Sequence, residues 1–310
     1  MKRRYERWQH DYRQRRYMKN LTDEAVKDRT RHVFNNASEV TAEGRVSLRN
    51  PSVDDGFWLR RWTEVLEELR IRNIGIDTVG VRRSGFPSPN NHYVASAVET
   101  FGSDWRMPEG SILKLGSREF LRPAFTDGIF RVAPASTYRD PSLNAAILDN
   151  ELDFAYQMFG DEVEITLPNG RKTKPIGDVE WRVQGLTNYY VQCFAGAYSP
   201  RLFADFKYDS AILIEDTDAF FSLLSSAVDR KLGEQGFTYL VTPVEYVDPL
   251  ANVEKDLLIP VIKHFKYAYQ SEIRALWVPD SPTMELEALT VELGDMSEYA
   301  KYFSLAEDLK

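Results

Sequence analysis

The chain has 310 residues, with 39 Lys and Arg against 47 Asp and Glu, a net charge of −8, and 43% hydrophobic and 13% aromatic residues. That balance predicts a soluble globular protein of one large or two ordinary domains, and it excludes intrinsic disorder and collagen-like repeats. The chain has no run of the roughly 20 apolar residues a membrane span needs, and its Arg-rich first twenty residues lack the apolar centre of a secretory signal, so no membrane contact and a cytoplasmic location are expected. The single cysteine, Cys193, excludes an internal disulfide and a thiolate-rich zinc site. The four histidines (His10, His32, His92, His264) are scattered without ligand spacing, so no metal is expected.

Charge is distributed unevenly. Residues 1–20 carry eight cations and two anions, net +6, and residues 281–310 carry seven anions and two cations, net −5. Tyr5, Trp8, Tyr12 and Tyr17 interleave with the cations of the first segment. Such a stretch, with Arg13, Arg15 and Arg16, can stack on bases while its cations contact phosphates of RNA or DNA. The competing reading is a helix docked by those aromatics, or one paired with the acidic tail.

In chain order, residues 1–109 form a helical, basic-ended region and 110–310 a mixed one. Trp58, Trp62, Val65, Leu66 and Leu69 recur at helical spacing after an N-cap at Asp54 or Asp55. Ile74, Ile76, Val79 and Val81 suggest a short extended piece, residues 82–89 a loop, and residues 102–110 a loop marking the boundary. Residues 112–115 and 129–133 read as strands around a helix that starts near Ser117, with a turn at Tyr138-Arg139-Asp140-Pro141. Val163, Ile165 and Leu167 run up to Pro168-Asn169-Gly170 and Val179, Trp181 and Val183 return, a predicted hairpin whose tip carries Arg171, Lys172 and Lys174. Strands follow at 189–194 and 211–214, then a helix over 217–232 capped by Gly233, a strand pair over 237–247 and a helix around 257–268. In the segment that closes this region, apolar Ile273 and Trp277 alternate with Gln270, Glu272 and Arg274. A strand therefore presents those three polar groups on one face, either as a solvent-facing edge or as the lining of a cleft.

The order of these motifs resembles a large, mostly uncharacterised group of bacterial proteins often found near defence genes. Its members open with a Lys-bearing strand, here Lys114, and continue through a helix to a strand, here Phe130-Arg131-Val132. They then reach an Asn-Asp-Pro turn, where this chain has Tyr138-Arg139-Asp140-Pro141, a Cys-Phe strand, here Cys193-Phe194, and a Glu-x-Glu-x-Arg strand, here Gln270-x-Glu272-x-Arg274. The order is also similar to that of the ADP-ribosyltransferase fold, which implies an α+β, ADP-ribosyltransferase-like mixed sheet with NAD as substrate. Arg139 replaces the group's Asn, Phe194-Ala195-Gly196 lacks the hydroxyls of the transferases' Ser-Thr-Ser motif, and Gln270 replaces the first Glu. A Gln-x-Glu pair is the form found in transferases that modify asparagine or nucleobases.

The resemblance places Glu272 and Gln270 at the chemistry and Lys114, Arg131, Tyr138, Phe194 and Arg274 around NAD. A carboxylate facing the oxocarbenium-like cation formed as nicotinamide leaves lowers its energy, and Gln270 is placed to orient an amide or amine acceptor. Lys114 or Arg131 would hold the diphosphate. No glycine-rich phosphate loop is present, which sets aside dinucleotide-fold and P-loop readings. The predicted function is a toxin or antiviral effector acting on nucleic acid or protein and restrained by a neutralising antitoxin or chaperone. The alternatives are a non-catalytic protein gripping RNA, DNA or a partner through Arg13, Arg15, Arg16, Arg171 and Lys172, or hydrolysis of NAD or a nucleotide in a similar pocket.

Overall fold

The computed structural model describes residues 2–41, 45–49, 54–81, 86–88, 90–102, 105–233, 235–250 and 257–305. The chain opens with helices α1 (Lys2–Gln14) and α2 (Asp23–Ala37), a ribbon of β1 (Ser38–Val40) and β2 (Val46–Leu48), then α3 (Phe57–Ile71), α4 (Ile76–Val79) and α5 (His92–Phe101). α2 begins where Thr22 caps the Ala25 N–H, with Asp23 and Glu24 facing the positive end of the helix dipole. α3 starts from Gly56 in the left-handed conformation instead of from an Asp side-chain cap; Asp54 accepts from the Gly56 N–H just before it. The extended piece expected at 74–81 is the single turn of α4, bounded by Gly75 and by Gly80 in the left-handed region. Of the loop expected at 82–89, residues 82–85 and 89 lie outside the described residues.

The remainder is an α+β assembly built on an eight-stranded antiparallel sheet. In chain order come β3 (Ile112–Gly116), α6 (Arg118–Thr126), β4 (Ile129–Pro134), β5 (Asp153–Met158), β6 (Ile165–Thr166), β7 (Lys172–Thr173), β8 (Val179–Gln184), β9 (Tyr190–Ala195) and α7 (Pro200–Phe206). They are followed by β10 (Ser210–Ile214), α8 (Thr217–Leu232), β11 (Phe237–Pro243), β12 (Glu245–Val247), β13 (Ile262–His264), β14 (Glu272–Pro279), β15 (Leu289–Glu292) and β16 (Ala300–Ser304). The main path runs β11-β14-β9-β3-β10-β16, and β4 joins β9 while carrying β15 on its other edge.

The sheet forks at β9. One edge of β9 is laddered along its length to β14, whereas the other meets β3 only at Leu113↔Ala195 and β4 only at Ala133↔Val191 and Pro134↔Tyr190. α6 and α8 fill the angle between the diverging wings, where Ile112, Phe130, Phe194, Phe220, Leu224 and Trp277 form the main core. α8 follows its sequence pattern closely, with Asp216 accepting from the Ala219 N–H at its start and Gly233 at its end.

Several expectations need correction. The return strand β8 pairs with β5, a strand not foreseen, and the Asn169-Gly170 turn closes only the small β6–β7 ribbon. β11 and β12 do not pair with each other; β11 pairs with β14, and β12 runs parallel to β13. The helix expected around 257–268 is a 3-10 turn (Ile259–Val261), β13 and a second 3-10 turn (Phe265–Gln270), since Pro260 has no N–H to continue a helix.

The first hundred residues pack directly against this assembly. Ala97 and Phe101 of α5 share a core with Leu113, Phe203 and Leu213, across the boundary expected near 102–110, of which 103–104 lie outside the described residues. Tyr12, Val33, Trp58 and Val65 pack on Leu250 and Phe265. The buried Arg29 forms a two-pronged ion pair with Asp248 at 2.7 and 2.9 Å. The fully buried Asn36 grips the 3-10 turn Phe265–Gln270, donating to the carbonyls of Phe265 (3.2 Å) and Lys266 (3.1 Å) and accepting from the Tyr269 N–H (2.8 Å). Replacing Asn36 with Ala leaves those buried backbone groups unpaired, at about 1–3 kcal/mol each before relaxation. Asn36→Ala is therefore expected to lower unfolding free energy in urea by about 2–4 kcal/mol, and a loss below about 0.5 kcal/mol would show that the turn holds itself.

Candidate functional site

The fork leaves the middle of one β9 edge without a neighbouring strand, and Lys114 fills the notch. Its ammonium donates to the Cys193 carbonyl at 2.9 Å. With its amide oriented to match its neighbours, Gln192 accepts from Lys114 Nζ at 3.1 Å and donates to the Arg131 carbonyl at 3.2 Å. Beside this notch lies a cavity of about 110 Å3 lined by Lys114, Tyr138, Phe194, Glu151, Lys263, Gln270 and Glu272, with Phe206 and Tyr208 among its aromatic walls.

Two of its walls carry a network of buried charges. Glu272, at the first position of β14, accepts from Arg274 Nε at 2.6 Å and from Lys263 Nζ at 2.8 Å. Arg274 turns its other end to Glu151 at 2.7 Å and also donates to the Pro260 carbonyl. Lys263 lies 3.7 Å from both Glu151 and Asp149. Burial alone would raise the Glu272 carboxyl, but Arg274 and Lys263 override it and hold the group well below the usual carboxylate range. At Glu151 burial wins over the same two cations, and Glu272 adds to it, so that carboxyl is shifted up. The two carboxylates of the cavity thus share Arg274, which closes on Glu272 with one end and on Glu151 with the other. Burial depresses the Lys114 ammonium, with only partial compensation from Cys193 and Glu272, and raises the Cys193 thiol and the Tyr138 hydroxyl.

The structure brings together Lys114, Tyr138, Phe194, Gln270 and Glu272 from four separate segments of the chain. Gln270, however, is not on the strand. It ends the preceding 3-10 turn, and Ser271 in the left-handed conformation reverses the chain before β14 begins. Its amide donates to the Ala146 carbonyl at 2.9 Å, pinning the segment that follows the Asp140-Pro141 turn. Glu272 and Arg274 do share a face, which is buried, because β14 lies between β11 and β9; the solvent-facing edge is ruled out. Arg274 has no exposed surface to offer a cofactor. Arg131 is exposed on β4 and does not line the cavity; it contributes only its backbone carbonyl, to Gln192.

The residues expected to grip nucleic acid lie elsewhere. Arg13 pairs with Glu67 at 2.6 Å and Arg16 with Glu68 at 2.8 Å, both buried carboxylates of α3, and Arg15 pairs with Glu162 at 2.6 Å. Trp8 and Tyr12 are buried beneath the same segment, so it is docked by its aromatics and bound to α3; residues 306–310 of the acidic tail lie outside the described residues. Lys172 pairs with Glu164, and Arg171 is exposed at the β6–β7 tip. Lys263 and Glu151 escaped the sequence reading. The signal for Lys263 was a lone charge among Ile259, Val261, Ile262 and Phe265, which demands a buried partner.

His32 and His264 stand behind the Gln270 turn, 5.7 Å apart, and His264 Nδ1 accepts from the Lys266 N–H at 3.0 Å. Burial, helped by Lys266, lowers His32 to about 4 and His264 to about 3. An unfolded histidine takes up its proton near pH 6.5, so below that pH the unfolded chain binds protons that the folded form refuses. Stability is therefore complete above about pH 6.5 and falls toward pH 4, by about 1–3 kcal/mol between pH 7 and 5. Glu151 and Asp205, shifted up by burial, act in the opposite direction in this window. The control is accordingly a His32→Gln/His264→Gln double variant, whose urea stability should decline less from pH 7 to 5; an unchanged slope would remove the histidines from the account.

Among the described residues no helix is long and apolar enough to cross a membrane, and no group of three or more His, Cys, Asp or Glu side chains is placed to hold a metal ion. No family model, curated protein or solved structure matches the chain.

Proposed function

We propose that the chain is an NAD-dependent ADP-ribosyltransferase on an ADP-ribosyltransferase-like fold, with the cavity beside the β9 fork as its reaction site. The observation that carries this reading is the meeting of Lys114, Tyr138, Phe194, Gln270 and Glu272 in one cavity although the first and last are more than 150 residues apart in sequence. At about 110 Å3 the cavity suits one ring system, such as nicotinamide, and is smaller than the 300–1,000 Å3 typical of whole-ligand sites.

In this reading the bond between nicotinamide and ribose breaks with its electron pair passing to nicotinamide, and an acceptor N–H or O–H attacks the ribose carbon. The ionised Glu272, fixed by Arg274 and Lys263, faces the positive charge that develops on the ribose, and Glu151, which lines the same cavity, receives the acceptor's proton. Lys114 keeps the fork closed and places Cys193 and Phe194 along the cavity wall. The acceptor belongs to a nucleic acid or a protein, and the biological role is that of a toxin or antiviral effector, held in check by a neutralising partner.

A second reading, a binding protein without catalysis, draws on the engagement of both Glu272 oxygens by cations. The two readings separate on Glu272→Gln. Purified protein should release nicotinamide from NAD, alone or with RNA, DNA or protein added, and the variant should lose about 10²–10³ in rate. Because Lys263 and Arg274 then face a neutral amide, the variant's fold must be verified by circular dichroism and melting. Full activity in a folded Glu272→Gln protein would end the transferase reading, and no nicotinamide release by the wild type under any of these conditions would favour the binding protein.

A further inference from the structure

The deep cavity has a neighbour. Ala146, whose carbonyl Gln270 holds, also lines a second and wider depression of about 590 Å3, walled by α7, the 3-10 turn Phe265–Gln270, and His32 and Asn35 of α2. That volume lies in the range of small-molecule sites.

The charges around this groove do not balance. Its charged lining groups are Arg201, Asp205, Lys207 and Lys266. Arg201 and Asp205 are closed on each other at 2.7 Å, and Arg201 also donates to the Asn35 carbonyl and lies over the Tyr269 ring. His32, lowered to about 4 by burial, is neutral at physiological pH. Neither Lys207 nor Lys266 has a carboxylate within ion-pair distance among the described residues. The groove is thus net +2 in a chain of net charge −8.

Both lysines are held by backbone features that serve position. Lys207 caps the C-terminus of α7 in the left-handed conformation, φ 56°, a place where glycine is the unstrained choice. Lys266 is half-buried, its ammonium 4.6 Å from the Tyr267 ring centroid and its N–H fixed by His264. The buried Tyr267, and Tyr269 with Arg201 over its ring, line the same groove. Lys114, by contrast, is enclosed and bonded to the Cys193 carbonyl, so the cations open to a ligand lie in the groove.

We propose that this groove binds the phosphate-bearing part of a nucleotide, with Lys207 and Lys266 gripping the phosphates. For the identity of that nucleotide as NAD the proposal rests on the transferase reading; for phosphate binding it stands by itself. Two ammonium groups suit a diphosphate, whose charge needs cations where backbone N–H groups are not offered.

The test is isothermal titration of the full chain with ADP-ribose and with inorganic pyrophosphate, for wild type, Lys207→Gly, Lys266→Gln and the double variant. Each single change should weaken both ligands about tenfold, and the double variant more. Lys207→Gly relieves the left-handed strain, so its melting temperature should stay level or rise, and its lost affinity then has no folding explanation. Absence of binding by the wild type, or unchanged affinity in a folded double variant, would overturn the proposal. Lysine-dependent binding of both probes without nicotinamide release from NAD would support the groove and remove only the transferase reading.

Discussion

Buried charge tolerates no orphans, and that constraint organises the molecule around Glu272. A carboxylate in this position is stable only with its cations in hydrogen-bonding contact. Arg274 reaches it from the same strand and Lys263 from β13, while Arg274 in turn requires Glu151 from the segment leading into β5. The network therefore fixes three regions of chain against each other. Replacing one member does more than delete a contact, because the partner left behind remains charged and enclosed.

The N-terminal helices extend the same logic outward. Asn36 of α2 supplies the backbone groups of the Phe265–Gln270 turn with partners that an isolated 3-10 turn lacks, and the Arg29–Asp248 pair ties the same helix to the end of β12. On the far side, α1 is tied to α3 through Glu67 and Glu68, with Arg72 joining Arg16 at Glu68. Two cations of the strongly basic start of the chain, Arg13 and Arg16, are thus internal counter-charges for carboxylates that α3 buries, and the buried Trp8 and Tyr12 are the packing face that brings them there.

What the sequence made legible was local. α8 was readable to its ends because its periodicity, its Asp216 cap and its Gly233 stop all lie within one continuous stretch. β3, β4, β9 and β10 stood out as short apolar runs, whereas β15 and β16 were not foreseen; the motif order pointed to one cavity for Lys114, Phe194, Gln270 and Glu272, but also for Arg131, which lies outside it. The pairing of β5 with β8 was not legible, since it joins strands separated by an intervening ribbon whose own Asn169-Gly170 turn offered a nearer partner. Residues 257–268 read as a helix because their apolar residues suit several periods, and the outcome was decided by Pro260 and by tertiary partners, Asn36 above all. Glu151 gave no spacing signal, because its role is set by Arg274, 123 residues away.

The closing strand β16 sits beside β10 at the outer edge of the sheet, and its Ala300 contributes to the core that α8 and β10 share. β10 is sandwiched between β3 and β16, so the sheet stays one strand short until residues 300–304 have left the ribosome. At about 5–20 residues per second, on the order of 4–17 s separates the synthesis of β10 from that of β16. During that interval β10 exposes an unpaired apolar edge, the condition under which strands from different chains join. The molecule's most vulnerable period is consequently its own synthesis, and a factor that shields β10 at that stage would influence yield without altering the finished protein.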